Sequence, residues 1–203
     1  MNKIIAFDDV NQILSAQAGC ILEDMNNYVN ERGFDLPYNI GSRGSCMLGG
    51  NLATNCGGSK YIRHKSIRDN TVGLEAVLAD GTILNDMSTM MKNNSGYDLK
   101  QLLIGSEGSL GIITGGAIKC PIICNQKHLA MITVDSFKKC VELLKQAKIS
   151  FRGSLTAFEV MDRNSTMVTF DSPESKAPYP FTQVYPFTLL VEIEAYSEED
   201  NAD

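Results

Sequence analysis

Apolar residues gather first at positions 4–7 and 13–17, two short runs separated by Asp8, Asp9 and Asn11, and predict a pair of strands. Leu22, Met25, Tyr28 and Val29 then recur at helical spacing, and Gly33 stands where a left-handed cap would close that helix. Residues 39–59 carry too many glycines for a regular element and read as a long loop. Runs at 72–78 and 82–84 flank Asp80-Gly81, a strong hairpin signal. Residues 97–104 predict a short helix and 112–120 a strand. The texture changes at residues 121–126, which mark a boundary between a first region, 1–123, and a second, 124–203. The second region predicts a strand at 129–134, an amphipathic helix at 137–147 and a strand at 189–195. Between them, residues 172–186 are rich in proline and aromatics and read as a long loop. The acidic stretch 197–203 is expected to fray. No internal repeat is visible, and the second region has strand–helix–strand logic without enough strands for a closed sheet.

Composition narrows the function classes. The chain has 203 residues, enough for one domain or one plus part of another. A net charge of -6 argues against a nucleic-acid partner. No apolar run is long enough to span a membrane. The one basic cluster, Lys60, Arg63, His64, Lys65 and Arg68, reads first as a solvated loop and second as a contact for phosphate or an acidic partner. Six cysteines show no CxxC pair, and the two histidines, His64 and His128, cannot supply a His-rich metal site. No metal is therefore expected, and the thiols point to a reducing compartment. Cys120 and Cys124 read as buried strand residues, and Cys56 is not expected to be reactive.

The candidate chemistry lies in two glycine clusters, GSRGSCMLGGNLATNCGG and GSEGSLGIITGG. Paired glycines let backbone N–H groups approach a ligand closely, and successive N–H groups form a concave anion site. Asn51, Thr54 and Asn55 can hydrogen-bond a phosphate, or equally their own backbone. Residues 50–55 can form a turn of helix with its N-terminus aimed at a pyrophosphate. In the second cluster Glu107 is the only charge. It either holds loop amides through its carboxylate or contacts a ribose hydroxyl or the surroundings of a ring. Neither cluster has the spacing of GxGxxG after a first strand or of GxxxxGK[ST], so an ordinary Rossmann or P-loop reading fails. If the clusters make one site, amides near Asn51 and near Leu110 should converge around one elongated cofactor.

The blocks GSCMLGGNLATNCGG, TVGLEAVLADGTIL, NSGYDLKQLLIGSEGSLGIIT and TAFEVMD, in that order, closely resemble the D-2-hydroxyglutarate dehydrogenase family. That family lies within the FAD-linked oxidase group that also contains D-lactate dehydrogenases. The similarity is strongest up to residue 162. It implies an α+β fold: the second lobe of a PCMH-type FAD-binding domain of the vanillyl-alcohol-oxidase type, over 1–123, followed by the start of a ferredoxin-like substrate domain, over 124–203. It implies FAD as cofactor, lined by Gly49, Gly50, Asn51, Thr54, Asn55, Gly57 and Gly58. Gly111 and Ile112 would meet the adenosine side through backbone, with Glu107 nearby. The implied reaction takes a hydride from C2 of a D-2-hydroxy acid to flavin N5, with electrons passing to an acceptor such as electron-transfer flavoprotein. A homodimer is compatible with it. Location would be the mitochondrial matrix in a eukaryote and the cytoplasm otherwise, since the chain carries no address of its own.

Departures from the family pattern carry expectations too. The family's first flavin lobe and its C-terminal catalytic half are not in this sequence, so no catalytic residue is assignable and the chain is expected to be inactive alone. Arg63-His64-Lys65 replaces Arg-Tyr-Gly, and Asp69 replaces a glycine. If both positions need φ > 0, each substitution stores about 1 kcal/mol of strain. Two alternatives stay open: a segment of a D-lactate or glycolate-type dehydrogenase, and a non-catalytic scaffold built on a flavin lobe.

Overall fold

The first apolar runs pair as expected. β1 (Ile4–Asp8) runs antiparallel to β2 (Ile13–Gln17), with Phe7 opposite Leu14 and Asp8 opposite Ile13. Four successive residues of β2 are buried, so both of its faces are covered. The computed structural model describes residues 1–173, 175 and 178–196. The acidic stretch 197–203 and positions 174, 176 and 177 of the long loop lie outside them. The chain divides into two compact units, Met1–Ile123 and Cys124–Asp203.

In the first unit α1 (Leu22–Asn30) buries Leu22, Met25 and Val29, one stripe at helical spacing. Gly33 takes φ +84°, and the Phe34 amide reaches back to the Val29 carbonyl at 3.0 Å, which ends the helix with the expected left-handed cap. Three short helices follow: α2 (Leu48–Ala53), α3 (Tyr61–His64) and α4 (Ile67–Asn70). β3 (Thr71–Val77) and β4 (Ile83–Asp86) form the hairpin, with Gly81 at φ +84° and the Asp80 carboxylate accepting from the Thr82 amide. The helix expected over 97–104 contracts to α5 (Lys100–Leu103), and β5 (Ile112–Lys119) completes the sheet in the order β1-β2-β5-β3-β4. All of its pairings are antiparallel. The core gathers Leu14, Ala16, Met25, Leu48, Leu52, Leu74 and Ile118 between helices and sheet.

The second unit begins with β6 (Gln126–Val134), longer than the expected strand, and α6 (Phe137–Phe151), one turn longer than the expected helix. The TAFEVMD block falls in β7 (Leu155–Asp162). Its last residue caps α7 (Arg163–Asp171): the Asp162 carboxylate accepts from the Ser165 amide at 2.7 Å. β8 (Phe187–Ala195) then runs antiparallel between β6 and β7, giving the order β6-β8-β7. Buried Glu194 of β8 faces Lys127 of β6 across the ladder, and their charges meet at 2.9 Å.

Candidate functional site

α2 overlaps the turn of helix expected at 50–55, although LGGNLA contains two glycines and each lowers helix propensity by about 1 kcal/mol. Packing overrides that cost. Leu48 and Leu52 are fully buried, and a Cβ at Gly116 of β5 would stand 2.8 Å from Leu52 Cδ1. The helix therefore lies directly on the glycine pair of β5. Its first two amides are already used: Leu48 N–H donates to the Cys20 carbonyl at 3.0 Å and Gly49 N–H to the Ala18 carbonyl at 2.7 Å. These two bonds spend the first two donors of the helix, while the amide of Gly50, where the expected turn begins, donates to no carbonyl among the described residues.

The second glycine cluster docks on the other end of α2. Gly105 N–H donates to the Leu52 carbonyl and Glu107 N–H to the Ala53 carbonyl, each at 3.0 Å. Helix C-termini leave carbonyls without intrahelical partners, and here the neighbouring loop supplies them. Gly105 and Glu107 both have positive φ, +81° and +49°. The two turns thus come together as expected, but through amides turned inward. Glu107 holds the loop by its main chain. Its carboxylate is exposed and accepts no hydrogen bond among the described residues, which corrects the reading of it as an anchor for loop amides.

Arg68 reinforces the joint. Its guanidinium donates to the Gln101 carbonyl at 2.6 Å and to the Ile104 carbonyl, while its own amide donates to Asn55 Oδ1 at 3.2 Å. Lys60 is buried and paired with the Asp35 carboxylate. The basic cluster is therefore not simply a solvated loop, since two of its five members are structural. Lys65 takes φ +63° and ψ -152°, so the strain expected there is present. Asp69 carries none: it sits in α4, where its carboxylate accepts from the Ser66 amide and hydroxyl in a capping box. Those bonds from Ser66 hold the Asp69 carboxyl below the usual carboxylate range.

The remaining candidates divide by what they face. Gly49 is fixed by packing, since a Cβ would stand 2.7 Å from the Ala18 Cβ, and Gly58 by the Asn39 carbonyl, 2.4 Å from such an atom. Gly111 likewise abuts the Val77 carbonyl. Thr54 turns its hydroxyl to the Gly50 carbonyl at 3.0 Å, and Asn55 receives the Arg68 amide. Asn51 is buried and donates to the Tyr38 hydroxyl. All three side chains hydrogen-bond their own surroundings. Gly50, in contrast, faces open space, with nothing within 4 Å of an added Cβ. The amides of Gly57 and Gly58 donate to no carbonyl among the described residues. Leu110 and Ile112 are exposed, and Ser106 Oγ is buried without a partner. Open backbone, spare N–H groups, an orphaned hydroxyl and apolar side chains together fit a flat ligand with a polar tail.

Tyr38, Arg68 and Ser106 escaped the sequence reading as site residues. Arg68 and Ser106 stood in view, one in the basic cluster and one in the second glycine cluster. Tyr38 carried no signal. Burial holds the Cys56 and Cys120 thiols up at about 12, with the neighbouring Cys46 adding to the effect at Cys56. No cluster of three metal-ligating side chains occurs among the described residues, nor is any described helix long and apolar enough to cross a membrane.

Residues 1–86 match the family described as FAD binding domain, and residues 124–203 match the C-terminal domain of FAD linked oxidases. The fold is that of alkyldihydroxyacetonephosphate synthase, which superposes with a TM-score of 0.78 at 23% identity, over 100% of this chain and 39% of that one. Two segments of the chain thus match models of the FAD-binding and FAD-linked oxidase class, whose cofactor is FAD, on a mixed α and β fold. Within that class it is similar to the D-2-hydroxyglutarate dehydrogenases. It is 44% identical to a probable mitochondrial D-2-hydroxyglutarate dehydrogenase of Oryza sativa subsp. japonica, over 100% of this chain and 36% of the relative. It is 42% identical to the mitochondrial D-2-hydroxyglutarate dehydrogenase of Rattus norvegicus, over 100% of this chain and 37% of the relative. The chain thus spans a little over a third of the curated relatives' length.

Proposed function

We propose that this chain forms part of an FAD-dependent 2-hydroxy acid dehydrogenase that oxidises D-2-hydroxyglutarate to 2-oxoglutarate. The supporting observation is the joint between the two glycine clusters. The Gly105 and Glu107 amides on the Leu52 and Ala53 carbonyls turn two distant stretches of sequence into one surface. On this reading Gly50, Gly57 and Gly58 offer backbone to the cofactor. Asn51, Thr54, Asn55 and Gly49 build the turn beneath it, and Glu107, Gly111 and Ile112 border its adenosine side. Units 1–123 and 124–203 serve as flavin and substrate portions. When bound, FAD supplies the hydride acceptor. The protein's share is to orient the cofactor on rigid backbone and to keep apolar side chains such as Leu110 and Ile112 against it. The acceptor of the electrons would be electron-transfer flavoprotein, the compartment the mitochondrial matrix and the assembly a homodimer.

A titration of the purified chain with FAD, followed by anaerobic addition of D-2-hydroxyglutarate, tests the proposal in two stages. Saturable binding with one FAD per chain is expected, while bleaching of the flavin is expected only when the catalytic portion carried by the relatives is supplied in trans or in a fused chain. Absence of any FAD binding would refute the site. Bleaching of the fused protein by D-lactate in preference to D-2-hydroxyglutarate would move the substrate to the D-lactate type.

A further inference from the structure

We infer that the buried ion pair of Lys60 and Asp35 is a positioning pair for the flavin loop: it fixes the place of the Gly57-Gly58 turn, and with it the two spare amides offered to the cofactor. The inference rests on the reading of that loop as an FAD surface. It starts from what can hold such a turn. Neither glycine has a side chain, and their N–H groups donate to no carbonyl among the described residues. The turn is therefore placed by its neighbours in sequence.

On its N-terminal side the turn hangs from Cys56. The Cys56 amide donates to the Asn51 carbonyl at 2.9 Å, and the Cys56 carbonyl accepts from the Ile67 amide at 3.0 Å. On its C-terminal side stands Lys60. Its carbonyl accepts from the His64 amide at 3.0 Å. Its side chain, 8% exposed, meets the Asp35 carboxylate, 14% exposed. Asp35 is itself held twice more. Its N–H donates to the Pro121 carbonyl at 2.8 Å, and its other carboxylate oxygen accepts from the Leu36 amide at 2.9 Å. Between these anchors Gly58 lies against Asn39, whose carbonyl also accepts from the Ser59 amide at 3.2 Å. Asp35 and Asn39 bracket a short segment in which Leu36 and Tyr38 are buried. The lysine thus clamps the turn onto that segment.

Packing alone does not require a charge here. Taking two ions out of water offsets most of their attraction, and neutral groups of similar volume often leave stability unchanged. What the pair adds is direction. A buried ammonium is held at one carboxylate, whereas an apolar side chain of the same length has no such target. Glycine backbone has the greatest conformational freedom of any residue, so a turn of two glycines needs a fixed end. Lys60 and Asp35 therefore act through the turn, and their effect falls on cofactor affinity more than on stability.

The double variant Lys60→Met/Asp35→Asn tests this in the full 203-residue chain with FAD as probe. It removes both charges and keeps both shapes. The unfolding midpoint is expected to hold, while FAD affinity falls by about tenfold or more, the loss of one well-aimed hydrogen bond to the cofactor. The absorption bands of the bound flavin are expected to shift with it. Lys60→Arg keeps the pair and is expected to bind FAD within about threefold of the wild type. A folded double variant with unchanged affinity and an unchanged flavin spectrum would overturn the inference while leaving the FAD reading intact. So would an equal loss of affinity in Lys60→Arg. If the double variant does not fold, Asp35→Asn alone, which leaves Lys60 an oxygen to donate to, is read in the same way. Unfolding of both would make the pair a stability element and overturn the inference too. If the wild-type chain binds no FAD at all, the reading of the loop falls first and this inference with it.

Discussion

Lys65 occupies a conformation that almost only glycine adopts, φ +63° with ψ -152°. Relief of its strain by Lys65→Gly, less the entropy that glycine gives back to the unfolded chain, is expected to stabilise the fold by about 1 kcal/mol. A urea midpoint that falls instead would mean that the lysine side chain contributes more than its backbone costs. Lys65 and Asp69 raise the same suspicion in sequence, as replacements of family glycines. Only one is strained, because the Ser66–Asp69 pair forms a capping box that suits an ordinary αR aspartate. A capping box is written in sequence, but α4 is four residues long and gives no periodicity to attach it to. The thiols give a second expectation at this scale. With Cys56 and Cys120 at about 12, both should be alkylated far more slowly at pH 8 than an unfolded-chain thiol, as peptide mass spectrometry would report. Rapid modification of Cys56 would show that its burial is transient.

α2 shows how an element can be faint in sequence yet central to the site. Its glycines weaken helix propensity, so residues 39–59 read as loop with no more than a helical turn at 50–55, while Leu48 and Leu52 supply the burial that forms the helix. The glycines within it separate into two kinds. Gly49→Ala would drive a methyl into the Ala18 Cβ and should cost about 1–3 kcal/mol of stability. Gly50→Ala meets nothing, so stability should hold or rise slightly while FAD affinity falls. Equal affinity in the Gly50→Ala variant, measured by flavin fluorescence, would move the cofactor off this helix. Arg68 binds α4 to the end of α5 through two main-chain carbonyls, and Arg68→Gln should cost about 2 kcal/mol. A denaturation midpoint unchanged by that substitution would count against the joint. Those bonds span 33 and 36 residues, and the Asn51–Tyr38 bond spans 13, which is why no local pattern announced them. The β3–β4 hairpin and α1 were legible because their turn, cap and burial stripe all lie within one short stretch of chain.

Across the whole molecule, the flavin fold was legible from the order of four motifs, each of which turns out to have a local structural task. The two glycine clusters meet at α2. The hairpin block forms β3 and β4, and TAFEVMD ends in the cap of α7. The lower half of the chain was less legible. β7 and α7 went unassigned, since half-exposed strands such as LTAFEVMD and helices such as RNSTMVTFD lack a clean apolar period. If FAD binds the folded first unit and not the unfolded chain, cofactor at 100 times its dissociation constant should stabilise the protein by about 2.7 kcal/mol. A thermal midpoint indifferent to FAD would argue for the scaffold alternative.

The carbonyls of Leu52 and Ala53 end one glycine turn and begin the other's anchorage. The two segments are consequently a matched set. A chimera that imports residues 48–58 from another flavoenzyme while keeping residues 105–111 would leave the seam mismatched, and only transplants carrying both pieces should yield a competent graft.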